Sequence, residues 1–360
     1  MEKSATEIRR KNIIYSVVLI TVVGAVYIYR NYINVSAEAK TLKDKTEIYH
    51  TGVTMGVVQY NIKYLADETT DYQKEIDSLL AAFNQSLSTY IPDSEISRFN
   101  NTGTDSIVFN SSFFYPVLSA SKLVFDATDK AFDPTVMPLV NAWGFGPNGE
   151  PVISDGDEEK IDSMLQFVGF DKLWFDNKKL TKHVANLQLD FSAIAKGYAV
   201  DLVGDLLSDN GIDNYMVEIG GELRCMGKNK SGNFWRIGID NPQYLEKGGE
   251  ALSAKIQIEN RALATSGNYR NYYIKDGKRY AHTISPISGK PVEHSLLSAS
   301  VFAKNCMLAD AYATAFMVIG EKRARKIIST NEELEAILIY EENGELKNYI
   351  SPTLEKYIMN

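Results

Sequence analysis

Leu187-Gln188-Leu189-Asp190-Phe191-Ser192-Ala193-Ile194-Ala195-Lys196-Gly197-Tyr198 is the stretch that decides how this chain folds. Leu187 to Phe191 alternates apolar and polar residues, the period of a half-buried strand. Ile194 to Ser208 then repeats apolar side chains at helical spacing and stops at Asn210-Gly211. A strand that passes directly into a helix leaves free backbone N–H groups beside the positive helix end, where phosphate oxygens are stabilised. Lys196 adds a cation there, and Gly197 permits close approach of a neighbouring group. Many ordinary strand–helix junctions share this pattern, so alone it marks a fold unit and a candidate site.

On the N-terminal side, Thr54 to Tyr64 reads as a strand, and Tyr72 to Thr89 as a helix with Ile76, Leu79, Leu80, Phe83 and Leu87 on one face. Helices are expected over Phe113 to Thr128 and Glu158 to Phe167, and a strand over Leu173 to Asp176 with a polar turn after it. On the C-terminal side, strands are expected over Tyr215 to Ile219, Leu223 to Met226, Trp235 to Asp240, Ser253 to Ile258, Tyr280 to Ile284 and Ser298 to Phe302. A helix over Met307 to Ile319, a shorter helix and a hairpin (Ile337 to Tyr340, Leu346 to Ile350) complete the chain. Successive strands among helices argue for an α+β fold rather than a regular βαβ array.

Ile13 to Tyr29 is an almost unbroken apolar run behind Arg9, Arg10 and Lys11, which places the N-terminus in the cytoplasm and the rest outside it. The chain thus divides into a basic cytoplasmic N-terminus (1–12), a transmembrane anchor or signal segment (13–30), a linker (31–50) and one domain (51–360). Val35-Ser36-Ala37 resembles a processing site, which keeps cleavage open as an alternative to a single-pass cell-membrane anchor. A net charge of -8 argues against nucleic-acid binding. Cys225 and Cys306, the two cysteines, are expected to be buried and reduced.

Four further stretches offer chemistry. Asp310 and Thr314 stand four apart on one helix face, hard oxygens suited to Mg²⁺, although Asp near a helix start and Thr in a helix are also ordinary. Thr265 to Tyr273 reads as a polar-aromatic loop for a planar ligand. His282, at a strand end, is a candidate general base, with His294 its rival. Phe132 to Gly146, with two prolines and the Trp143-Gly144-Phe145 cluster, makes a rigid apolar wall that suits a flavin face or a core.

In order, Thr54-Met55-Gly56, Leu87 to Tyr90 with Asp93 to Asn100, Phe132 to Gly146, Asp190 to Asp201, Ile219-Gly220-Gly221-Glu222, Ala264 to Tyr273, the His282 region and Ala309-Asp310 with Thr314 resemble the ApbE family of FAD:protein FMN transferases. The resemblance implies an α+β fold with mixed sheets and two lobes around an FAD cleft. It implies Mg²⁺ held by Asp310, Thr314 and the Ala193 carbonyl, and FAD contacts at Met55, Tyr90, Trp143, Gly144, Phe145, Asp190, Lys196 and the Ile284 backbone. It further implies His282 as general base for transfer of FMN to a threonine or serine of an acceptor in a membrane electron-transfer complex, with AMP released. FAD pyrophosphatase activity and a non-catalytic FAD-binding envelope protein are the competing readings. Three positions depart from the family pattern: Ala313 stands in place of a common Asp, Met137 of a common Gly, and Ser285 of a common Asp.

Overall fold

The computed structural model describes residues 42–359 apart from 102–104, 147–148, 245–247, 249, 269–271 and 276–277, together with 16, 18–27 and 29 near the N-terminus. Residues 18–27 are helical and leave Leu19, Ile20 and Val23 exposed. The rest of the expected anchor lies outside the described residues, among which no helix is long and apolar enough to cross a membrane.

Eight strands form the main sheet: β1 (Thr46–Thr54), β2 (Val58–Ala66), β6 (Tyr215–Ile219), β7 (Glu222–Met226), β10 (Arg261–Gly267), β13 (Leu296–Ala303), β14 (Glu335–Glu342) and β15 (Glu345–Ile350), in that spatial order. Two three-stranded sheets accompany it: β8 (Trp235–Asp240), β9 (Leu252–Ile258) and β16 (Ile358–Met359), then β3 (Ser106–Val108), β4 (Leu173–Phe175) and β5 (Lys179–Lys182). β11 (Tyr272–Lys275) and β12 (Lys278–Ala281) form a separate hairpin. Each described pair is antiparallel, so the mixed sheets expected are not observed. The reason is topological: the helices between β2 and β6 enter as a block, not as parallel crossovers.

The helices are α1 (Gln73–Leu87), α2 (Glu95–Asn101), α3 (Phe114–Ala127), α4 (Met137–Ala142), α5 (Glu158–Leu165), α6 (Ala195–Asp209) and α7 (Cys306–Thr330). α1, α3, α6 and α7 bury their apolar stripes with Tyr60, Ile62, Tyr64, Val217 and Ala264 of the main sheet. The opposite face packs Leu223, Leu263, Phe302 and Ile337 against Trp235 and Ile256 of the smaller sheet. A third cluster gathers Leu139, Trp143, Ile161, Tyr280 and Ile284. β10, β13 and β14 are covered on both faces, which explains the continuous apolar run Ala336 to Tyr340 of β14. The described interior therefore holds three hydrophobic clusters.

Several expectations change. The span read as one strand over Thr54 to Tyr64 is the end of β1, a three-residue turn and most of β2, because Met55 and Gly56 take φ of 47° and 83° and reverse the chain. β1 begins at Thr46, so the linker ends before it. Leu187 to Phe191 is not a strand: Asn100 accepts from the Leu189 N–H at 2.7 Å and donates to its carbonyl at 2.8 Å, while the Asp190 N–H donates to Pro134 O at 2.7 Å. Its alternate burial reflects a pinned loop rather than a ladder. Thr265 to Gly267 completes β10 instead of opening a loop. Gly320, at φ 77° and ψ 171°, breaks α7 into the long and short segments expected. Both cysteines are buried and unpaired.

Candidate active site

The pinned loop before α6 brings Asp190, Ser192 and Ala193, and the first turn of α6 brings Lys196, to a cleft of about 920 Å³, near the upper end for ligand sites. Ser192 donates to Asp190 Oδ1 through both its N–H (2.9 Å) and Oγ (2.6 Å), which orients that carboxylate. Burial raises the Asp190 pKa, and the Ser192 donors oppose the shift. Nearby Asp133, at the head of the Pro134–Val136 turn, accepts from Thr135 N and Oγ1 and from Phe170 N. Burial still pushes its pKa up to about 6.

α6 and α7 meet at Gly197. A Cβ there would lie 2.2 Å from the Cys306 carbonyl oxygen and 2.8 Å from Asp310 Cβ, so only glycine allows the approach. The Gly197 N–H, which a regular helix would direct to the Ala193 carbonyl, donates to Asp310 Oδ2 at 3.0 Å. The Ala193 carbonyl thus stays outside the helical ladder, at the cleft wall. α7 sends Asp310, Thr314 and Val318 into the cleft at intervals of one helical turn. Thr314 Oγ1 lies 3.1 Å from Ser266 Oγ on β10. Ala313 is fully buried and off the cleft.

Behind Lys196, Glu222 is buried and takes the ammonium on Oε1 at 2.5 Å. Burial opposes the charge on Lys196, but Glu222 and Asp310 outweigh it and hold the ammonium pKa above its ordinary value. Burial raises both carboxylates, each of which also repels or competes with the other for this one cation. Glu222 Oε2 has no hydrogen-bond partner among the described residues. Two buried carboxylates sharing one ammonium leave an excess negative charge, which a divalent cation offsets. The Ala193 carbonyl, Asp310 carboxylate and Thr314 hydroxyl form the hard-oxygen set that Mg²⁺ prefers, so these residues fit that ion.

The opposite wall is aromatic. Trp143 stacks on Tyr280 (5.9 Å), Tyr280 on Tyr273 (5.1 Å) and Tyr273 on Phe145 (5.2 Å), with His282 at the Phe145 edge. Phe145, His282, Ile284 and the exposed Tyr90 line the cleft. Trp143, Gly144 and Met55 do not. Trp143 is fully buried with Nε1 donating to Gly289 O at 2.8 Å, and so supports the wall from behind. Met55 packs against the main core. Ser285 Oγ accepts from the Ile287 and Ser288 N–H groups, the turn-capping task an Asp would also perform. Met137 Sδ accepts from Asn100 Nδ2. His294, the rival imidazole, bonds Met317 O at 2.7 Å through Nε2 and lies off the cleft.

Residues with no role in the sequence reading also line the cleft, among them Lys63, Glu218, Arg236 and Asp240. Alternation along β6, with Val217 inward, was the available signal for Glu218.

The ApbE family profile matches residues 54–338. The FAD:protein FMN transferase of Vibrio cholerae serotype O1 is 39% identical over 88% of this chain and 94% of its own length. That of Haemophilus influenzae is 38% identical over 84% and 89%. The solved flavin transferase ApbE from Vibrio cholerae superposes with a TM-score of 0.78 at 38% identity, covering 87% of this chain and 99% of that one.

Proposed function

The chain belongs to the ApbE family, and on that premise we propose that it transfers FMN from FAD to a hydroxyl of an acceptor protein. The observation that carries this reading is the α6–α7 junction, where Gly197 brings Asp310 against the start of α6, with Lys196 on that helix and Ala193 on the loop before it, inside a cleft large enough for a dinucleotide.

The diphosphate sits by Lys196, and the flavin lies toward Phe145, Ile284 and Tyr90. An acceptor threonine or serine oxygen attacks the FMN-side phosphorus, a new P–O bond forms, and the bond to the AMP phosphate oxygen breaks with that electron pair. His282 accepts the hydroxyl proton, and AMP leaves. Mg²⁺, when held by the Ala193 carbonyl, Asp310 and Thr314, neutralises charge on the diphosphate oxygens.

The N-terminal segment anchors the protein. Apolar side chains at 18–27 stand exposed behind Arg9, Arg10 and Lys11, as in a helix whose solvent is lipid. On this reading the basic residues before the apolar run put the domain on the extracytoplasmic face, where acceptors in membrane electron-transfer complexes would be met.

The test uses the full chain in detergent with FAD, Mg²⁺ and a soluble subunit domain of such a complex. Covalent flavin fluorescence on that domain, with AMP released in equal amount, supports transfer. Free FMN without labelling indicates a hydrolase, and intact bound FAD a carrier. His282→Ala is expected to slow transfer by about 10²- to 10⁴-fold with FAD affinity retained. Unchanged transfer removes His282 from the role.

A further inference from the structure

Glu222 lies outside the cleft wall yet touches a residue that forms it. Its side chain is 2% exposed, one oxygen holds Lys196 at 2.5 Å, and the other is unpartnered among the described residues. The β6–β7 turn brings Gly220 beside the pair. Gly220 and Gly221 both have positive φ, and a Cβ at Gly220 would meet Val58 Cγ1 at 2.6 Å. Lys196 is attracted by Glu222 and by Asp310, but its contact is with Glu222, while Asp310 is met by the Gly197 N–H.

We propose that Glu222 is a positioning residue that holds the Lys196 ammonium off Asp310, leaving that carboxylate available to a divalent cation; the inference rests on the metal-assisted reading above. An ammonium paired to Asp310 would occupy the ligand and repel the cation. With Glu222 as its partner, Lys196 stays beside the diphosphate without closing the cation position.

The test is Mn²⁺ binding to the full chain in detergent with FAD bound, read from free Mn²⁺ by electron paramagnetic resonance. Glu222→Gln is expected to weaken Mn²⁺ about 10-fold or more, the scale of a coupled charge pair. The Lys196→Met/Glu222→Gln double variant recovers affinity to within about 3-fold of Lys196→Met alone, since no ammonium remains to compete. Glu222→Asp, which keeps the charge, retains most of the binding. A role in folding alone would lower affinity whether or not Lys196 is present. Wild-type affinity in Glu222→Gln, or a double variant no better than it, overturns the proposal. Should Glu222→Gln fail to fold, Lys196→Met decides: it must bind Mn²⁺ at least as well as wild type. A wild-type protein that transfers FMN yet takes up no Mn²⁺ overturns this inference and leaves the transfer activity standing.

Discussion

A methyl group at position 197 would collide with the Cys306 backbone, and backbone cannot yield as a side-chain tip can. Gly197→Ala is therefore expected to cost about 1–3 kcal/mol in urea denaturation and to depress transfer further by displacing Asp310. Asp133 supplies a prediction in pH. Its folded pKa near 6 lies above that of an unfolded aspartate, so folded protein holds the proton more tightly. That contribution is complete below about pH 4 and is lost as pH rises through about 6, at most about 3 kcal/mol. Asp133→Asn has no such loss, so its stability relative to wild type should improve between pH 4 and pH 7. Equal differences at both pH values would refute the assignment. At this scale Asp190, Lys196, Asp310 and Thr314 were legible because each sits in a local pattern of spacing or junction. Glu222 was visible in its motif, but its role was not, because its partner comes from a different element. Trp143 has the composition of a ligand face and the burial of a support, a distinction only packing reveals.

The start of α7 is held from outside the helix. Asp201 of α6 accepts the Cys306 and Met307 N–H groups at 2.9 and 2.8 Å, and Asn305 caps Leu308 N. Asp201→Ala is expected to cost about 1–3 kcal/mol, since two buried donors lose their acceptor, and thermal denaturation measures it. Where the helix breaks at Gly320, His294 serves the Met317 carbonyl. His294→Ala should cost about 1 kcal/mol while transfer kinetics stay near wild type, in contrast to His282→Ala. Helices were read well because their periodicity is local. The errors fell on strands: Leu187 to Phe191 has the alternation without a neighbour, whereas Thr265 to Gly267 has a neighbour in β13 without an apolar pattern. Pairing is a long-range property that alternation alone does not encode.

For the whole molecule, the core clusters draw on β1 through β16 and, among the described residues, take none from before Leu42. A chain beginning at Leu42 is therefore expected to fold, stay in the soluble fraction and transfer FMN, whereas the full chain partitions with membranes. Sedimentation after lysis checks this, and a full-length chain in the supernatant removes the anchor. The α+β class and the site's location were accessible from order and composition. The third cluster was not, because it assembles α4, α5, Tyr280 of β12 and Ile284 from distant parts of the chain.

Cys225 and Cys306 both sit in the interior, and burial raises their thiol pKa values. Few thiolates form at neutral pH, so alkylating reagents find nothing to attack until the domain opens. With both thiols buried and unpaired, iodoacetamide uptake becomes a clock for global unfolding events.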